Sequence, residues 1–487
     1  MPDWNHQWLS EIADHITDIG VNEFGMNPFP ARIELVDAEE MLDIYSTTYP
    51  RHYSHWRYGK KFLSDYVPYM QGKTGLAYEV IINTNPSVIC CMATNSKAMM
   101  ALVVAHAGIG HSHVFRNNYL FKDYGTADSI LDYVDFARKY VAECEDRYGV
   151  KAVEEILDAA HSIENQSMQP LKKSVNWKQE KERFAERMRK REEEYREVWQ
   201  TVPNAVRKET SFPERPSIQL PQNNLLYFIE KYSPILLPWQ KELVRIVRKM
   251  AQEAYPSYQM GVVHESAAVY SHFRIMERLH EKGLIDDGMM LECIHSTGHV
   301  VYQSEFNHWN GWNIYALGWA VAKDIERICL NPTEEDKKWF YWAGNNDPHG
   351  TLRDAWDNYR NESFIRQFMS PKVIRDFRMF ELLDQHEESY YEVTAIHDDD
   401  GYRRIRSTLA DAYLPERMVP DIQITAAAMT GDRTLTLTHY TDEGWPLHFL
   451  DRDKTMRYVK RLWGYPIRMQ EVTRDGAHSI KAAYVVE

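Results

Sequence analysis

The pattern of hydrophobic and polar positions changes along the chain, and its first part predicts a mixed region of strands and helices. Within residues 1–170, the two apolar runs of GLAYEVIINTNPSVICCMAT predict a β-hairpin that turns at residues 83–86. Helical spacing resumes from about Ser96 onward. We therefore expect an α+β region here, and its last helices include one that is rich in histidine.

Residues 171–224 are dominated by charge and proline rather than by apolar periodicity. The stretch KQEKERFAERMRKREEEYREVW is charged nearly all round and leads into FPERPSIQLPQNN. This pattern predicts a solvated helix followed by a connector, which makes residues 171–224 the main domain boundary.

The remaining chain divides into a helical block and a final region in which strands and helices alternate. Residues 225–388 carry apolar side chains at a spacing of about 3.6 residues, as expected of helices. Residues 389–487 predict the order βαββαβ, beginning with YYEVTAIH and ending with PIRMQEV, which is typical of a ferredoxin-like unit. The predicted fold class is thus α+β, with a mixed N-terminal region, a helical middle block and a ferredoxin-like C-terminal domain.

The amino-acid composition indicates where the protein is located in the cell and which kinds of partner it is expected to bind. The 487 residues are 44% hydrophobic, enough for several buried cores, and the net charge of −14 argues against binding to nucleic acid. The five cysteines include no C-x-x-C pair, so neither a disulfide framework nor a cysteine zinc site is indicated. The N-terminus lacks the pattern of a signal peptide, and we expect no apolar run of membrane-spanning length. We therefore predict a cytoplasmic protein without a membrane span.

The stretch VVAHAGIGHSHVF contains three histidines behind an apolar run. In a regular helix, His106 and His111 differ by about 140° of rotation at about 100° per residue, so the two rings would point apart. Gly108 and Gly110 permit a bulge or an early helix end. We therefore predict a helix distorted near these glycines, with both histidines facing one centre shared with Glu265.

Three further groups combine histidines with carboxylates on predicted helices. Glu265 and His272 are seven residues apart, hence on one helical stripe with packed neighbours, and a buried carboxylate there needs a partner. Asp158 and His161 are three residues apart, a spacing that also suits an ordinary surface pair. The stretch LECIHSTGH has a single E-x-x-H match, a weak signal because the di-iron pattern requires two.

A hairpin followed by a histidine-bearing helix, with a carboxylate on a later helix, is the plan of zincin-like metallopeptidases. The glutamate that follows the first histidine in H-E-x-x-H is replaced here by Ala107, so another group must activate water. Glu265 is a candidate for that base or for a metal ligand, and both alternatives remain open. Zinc is the leading metal for such ligands, while iron or manganese would accept the same set.

The chain resembles the SpoVR (stage V sporulation protein R) family from about residue 20 to about residue 470. The resemblance rests on long stretches in the same order, among them HWRYGKKFL, GLAYEVIINTNP, AHAGIGHSHVFRNNYLF, NIYALGWAVAKDIERIC and RLWGYPIRMQ. The family pattern around Glu265 resembles M-N-E-G-x-A, from which this chain departs at His264 and Ser266. His55 also falls on a family histidine. The resemblance implies a metal-ligand set of His106, His111, His161, Glu265 and His272.

The resemblance implies a link to spore cortex formation or to stress physiology, without an assigned reaction. Two hypotheses follow: a metal-dependent hydrolase acting on an amide bond, or a non-catalytic regulatory or scaffold protein with a structural histidine cluster. In the second, the C-terminal domain would dock a protein partner. A polar cleft is a further expectation, equally compatible with packing and capping roles, and its residues would be His55, Trp56, Tyr58, Lys60 and Asn313.

Overall fold

The structure is a computed structural model that describes residues 4–47, 53–168, 189, 220–304, 311–384, 389–441, 446–473 and 480–486. The chain divides into two compact units. The first comprises Met1–His161 with Leu237–Val419, and the second comprises Ser162–Leu236 with Pro420–Glu487. The predicted charged helix at residues 178–199 lies outside the described residues, apart from Arg189.

Helices account for most of the described secondary structure. Two π-helices, Ile19–Glu23 and His106–His111, and a 3₁₀ turn, Glu164–Ser167, lie between α-helices. The α-helices are α1 His6–Asp18, α2 Ala38–Thr47, α3 Trp56–Met70, α4 Lys97–Ala105, α5 Ser112–Asn117, α6 Tyr119–Tyr124, α7 Ile130–Tyr148, α8 Val150–His161, α9 Leu225–Tyr232, α10 Pro238–Gln259, α11 Gly261–Glu281, α12 Asp287–Val300, α13 Ile314–Leu330, α14 Glu334–Trp339, α15 Pro348–Asn358, α16 Asn361–Phe368, α17 Pro371–Asp376, α18 Asp399–Asp411, α19 Pro415–Met418 and α20 Phe449–Trp463.

The first unit contains a small sheet of three strands, β1 Ala31–Val36, β2 Glu79–Ile82 and β3 Ser87–Met92. The strand order is β1-β3-β2, with β1 parallel and β2 antiparallel to β3. The predicted hairpin is therefore confirmed as the pair β2 and β3. Every residue of the central strand β3 is buried, in keeping with the apolar run that follows Ser87.

A continuous helical segment, Lys97–Asn117, follows the hairpin through the core of the first unit. We expected no apolar run of membrane-spanning length, but this segment passes that test when only its length and composition are considered. Its most apolar part is buried completely inside the protein, however, and this is the environment of a core helix. The same segment carries His106 and His111.

The buried segment packs very closely against α11. A Cβ atom added at Gly110 would lie 2.3 Å from the Cα of Ala268, a distance shorter than any ordinary contact. Glycine at this position therefore allows two helical backbones to approach each other. It brings the histidines of the buried segment close to the Glu265 side of α11.

The second unit contains a four-stranded sheet and differs from the ferredoxin-like prediction. Its strands are β6 Asp421–Ala427, β7 Leu435–Thr441, β8 Ile467–Thr473 and β9 Ile480–Val486, in the order β6-β7-β8-β9. Only β7 and β8 are parallel, and α20 lies between them in sequence.

The strand and helix that we expected to begin the ferredoxin-like unit belong to the first unit instead. Strand β5, Tyr391–Ala395, pairs with β4, Glu381–Asp384, in a separate hairpin. Helix α18 is held to α16 by an ion pair between Asp411 and Arg366. The boundary thus falls between Val419 and Pro420, about thirty residues later than the predicted division after residue 388. The N-terminal region and the helical block share the first unit.

We predict that Gly110→Ala destabilises the first unit by about 3 kcal/mol, because the new methyl group must displace the α11 backbone. The matched control is Gly298→Ala in α12, where a Cβ meets nothing within 4 Å. Alanine there should leave stability unchanged or raise it by about 0.5–1 kcal/mol. The midpoint of thermal unfolding measures both effects, and equal midpoints for the two variants would contradict the close approach.

Candidate metal centre

The helix is distorted where the sequence predicted, because residues His106–His111 form a π-helix. A π-helix closes its hydrogen bonds between residues five apart, so its wider turn brings residues at this spacing to one side. The two imidazole rings have centroids 4.5 Å apart and lie nearly perpendicular. The two histidine side chains thus lie next to each other in the π-helix.

Glu265 completes a group of three converging ligand atoms. Its Oε2 lies 3.6 Å from His106 Nε2 and 3.7 Å from His111 Nε2, and the three atoms lie within 4.8 Å of one another. Ligand atoms around a tetrahedral zinc ion with bonds of about 2.0–2.1 Å are separated by about 3.4 Å. The two distances to Glu265 Oε2 are slightly longer than that value.

The donor chemistry of this group also fits a metal ion. Glu265 Oε2 is buried and has no hydrogen-bond partner among the described residues. A buried carboxylate oxygen without a partner is unfavourable, and a cation would satisfy it. Two imidazoles and one carboxylate are a common ligand set of catalytic zinc.

Glu79 is a second carboxylate at this centre, and we did not predict it from the sequence. Its Oε1 lies 3.8 Å from His106 Nε2, but it is not part of the converging group of three. Burial raises the pKa of Glu79, and the neighbouring charge of Glu265 adds to the increase, while His106 opposes it. The available signal was an acidic residue at the start of the apolar strand β2.

His272 contacts His106 from the side opposite to the converging atoms. The Nδ1 atoms of the two rings are 2.9 Å apart, and His272 Nε2 lies 3.0 Å from Thr297 Oγ1. Burial lowers the pKa of His272 well below its usual range, and the neighbouring His106 adds to this effect. The structure thus places His272 behind His106, outside the converging group.

His264 stacks on His111 with ring centroids 3.8 Å apart. Burial lowers the pKa of His264 to about 4 and also lowers that of His111, where the neighbouring His264 adds to the decrease. For His106, burial also acts to lower the pKa, but contact with Glu265 and the charge of Glu79 outweigh it and leave the pKa raised. The sequence signal for His264 was its departure from the family pattern.

The structure places His161 in a different group of side chains. Its Nε2 lies 2.9 Å from Tyr53 Oη, and its Nδ1 lies 2.5 Å from Arg57 Nη1. His161 is thus not one of the three converging residues, and both of its ring nitrogens contact other side chains. The nearby Asp158 accepts a hydrogen bond from Trp56 Nε1 and lies 3.3 Å from His55 Nε2.

The residues expected to line a polar cleft lie at or near the starts of two helices, α3 and α13. Trp56 and Lys60 are exposed on α3, and Tyr58 packs edge-on against the ring of His55. Burial lowers the pKa of His55 to about 4. Asn313 instead caps the start of α13, where its side chain accepts a hydrogen bond from the Tyr315 amide. These contacts correspond to the packing and capping alternative.

The remaining histidines of the sequence groups have other surroundings. His113 accepts a hydrogen bond from the Asn27 amide and lies 3.1 Å from Asp357. His295 and His299 are exposed on α12. None of these three is part of the converging group among the described residues.

Comparison with known proteins gives the family. Residues 3–417 match the family model described as SpoVR like protein, and residues 420–474 match the SpoVR-like C-terminal domain. The chain belongs to the SpoVR family. A relative from Escherichia coli (strain K12), called Uncharacterized protein YcgB, is 40% identical over 481 residues, covering 98% of this chain and 94% of the relative. No solved structure matches. The two family models meet next to Val419, where the first unit ends and the last segment of the second unit begins.

We predict that His106→Ala abolishes stoichiometric metal binding in this SpoVR-family chain, whereas His113→Ala retains it. The first substitution removes a converging ligand atom, and the second removes a buried ring that contacts Asn27 and Asp357 instead. Elemental analysis of both purified variants measures the metal directly. Equal retention in the two variants would mean that His106 is a core residue without a ligand role.

Proposed function

We propose that this SpoVR-family protein is a metal-dependent hydrolase whose metal ion is held by His106, His111 and Glu265. The observation that carries the proposal is the convergence of ligand atoms from two buried histidines and a half-buried glutamate at distances suited to one ion. Zinc is the leading choice, and iron or manganese would accept the same ligands.

Three protein ligands leave a coordination position free, which is typical of catalytic rather than structural zinc sites. When bound, such an ion would polarise a carbonyl group and lower the pKa of a water molecule. The ligand role of Glu265 is favoured over a role as base, because its Oε2 faces both histidine Nε2 atoms at nearly equal distances.

Glu79 is the carboxylate that we propose as proton acceptor. Its Oε1 lies 3.8 Å from His106 Nε2, and Glu79 is not one of the three proposed ligands. The acceptor would thus come from the strand β2, in place of the residue that follows the first histidine in H-E-x-x-H. The order of hairpin, histidine helix and later carboxylate resembles the zincin-like plan.

The substrate that we propose is an amide bond in a peptide or a related polymer. The family description supports a role connected with sporulation, and an amide hydrolase would fit cortex formation or stress physiology. The five cysteines are all free and buried, which supports a cytoplasmic location. The C-terminal SpoVR unit is a candidate docking module for a protein partner.

The competing hypothesis is a structural metal site in a scaffold protein, in which Glu79 would be the fourth ligand. An exogenous anion distinguishes the two hypotheses. We expect cobalt-loaded protein to change its visible spectrum when azide is added, because an open position accepts the anion. An unchanged spectrum with stoichiometric cobalt would favour the closed, structural site.

We further predict that Glu79→Gln keeps the metal but lowers the rate of amide hydrolysis by about 10²–10⁴-fold, because glutamine cannot accept the proton. Glu265→Gln should instead lose the metal. Glu471→Gln is the control, since Glu471 is a buried glutamate of the second unit. Amine release from a panel of peptides and acylated amino acids measures the rate. Full activity of Glu79→Gln would exclude the proposed acceptor.

A further inference from the structure

Three buried side chains behind the candidate metal centre form a continuous chain of hydrogen bonds. His106 Nδ1 lies 2.9 Å from His272 Nδ1, and His272 Nε2 lies 3.0 Å from Thr297 Oγ1. Their exposed fractions are 7%, 3% and 4%, so water does not compete for these contacts. The three residues come from the π-helix, α11 and α12, which are separate elements of one unit.

The positions of the protons in this chain are coupled. Each neutral imidazole carries one proton, and only one proton fits between the two facing Nδ1 atoms. If His106 carries its proton on Nδ1, it donates to His272 Nδ1. His272 then carries its own proton on Nε2 and donates to Thr297 Oγ1.

The opposite arrangement has a different consequence for the metal centre. If His272 carries its proton on Nδ1, it donates to His106 Nδ1, and its Nε2 accepts from the Thr297 hydroxyl. His106 must then carry its proton on Nε2, the atom that faces Glu265. That tautomer has no lone pair to offer to a metal at this position.

We propose that His272 and Thr297 are positioning residues that hold His106 in the tautomer able to bind a metal through Nε2. His272 supplies the acceptor for the Nδ1 proton of His106, and Thr297 supplies the acceptor that keeps the His272 proton on Nε2. This inference rests on the proposed metal site, and it assigns to His272 a role different from that of a ligand. Partners of this kind fix ring orientation and ligand basicity in metal sites generally.

Two substitutions at His272 separate the parts of this role. In His272→Asn, the amide takes roughly the place of Nδ1 and its oxygen can still accept from His106. In His272→Gln, the amide takes roughly the place of Nε2, so the Thr297 contact is kept and the His106 acceptor is lost. We expect zinc affinity to fall by about 10–100-fold in His272→Gln and by much less in His272→Asn.

Substitutions at Thr297 test the far end of the chain. Thr297→Val removes the hydroxyl with little change of shape and should weaken zinc binding several-fold, whereas Thr297→Ser should restore it. Thr441→Val is the control, because Thr441 is a buried threonine in strand β7 of the second unit, where its hydroxyl bonds the Val472 carbonyl. Its zinc affinity should equal that of the wild type.

The experiment is a chelator competition with zinc for the full chain and these variants, accompanied by nitrogen-15 NMR of histidine-labelled protein. The NMR spectrum should show a protonated, slowly exchanging Nδ1 on His106 in the zinc-loaded wild type, and this signal should be lost in His272→Gln. Zinc binding by the wild type together with equal losses in His272→Asn and His272→Gln would overturn the inference alone. Failure of the wild type to bind zinc, iron or manganese would overturn the proposed function and the inference with it.

Discussion

The first unit is organised around imidazole and carboxylate groups that lie inside an apolar core. Removing such groups from water is unfavourable unless they find partners, so the surrounding elements must bring their ligand atoms together. The π-helix aims His106 and His111 to one side, and Gly110 allows α11 to approach closely enough for Glu265 to meet them. Among the described residues, the buried Oε2 of Glu265 accepts no hydrogen bond and meets the two histidines only at ion-pair distances. A metal ion is the partner that we propose.

The core of this site could be predicted from the sequence because it depended on local rules. Two histidines at a spacing unsuited to a regular helix, with glycines between them, required a distortion, and the apolar flanks required burial. The stripe that carries Glu265 had the same character. These features do not depend on knowing the complete fold.

The other members of the site depended on contacts that the sequence does not encode locally. Glu79 is the first residue of strand β2. Its position beside His106 depends on how the three-stranded sheet packs against the buried helical segment. The family resemblance implied that His161 is a metal ligand, yet its two ring nitrogens contact Tyr53 and Arg57. The ferredoxin-like prediction was wrong for a similar reason: β5 had the expected sequence, but it pairs with β4 in a separate hairpin and does not join the four-stranded sheet. Tertiary contacts decide which strands pair, and an alternating pattern of apolar and polar residues does not specify the partner strand.

The two family models meet next to Val419, where one of the divisions between the two units falls, and the first model also spans Ser162–Leu236 of the second unit. All the residues of the proposed centre and of its positioning chain lie in the first unit. X-ray absorption spectroscopy of the zinc-loaded full chain tests the central claim most directly. The account predicts a first shell of nitrogen and oxygen at about 2.0–2.1 Å with the scattering pattern of two imidazoles. A shell that contains sulfur at about 2.3 Å, or one without imidazole scattering, would contradict it.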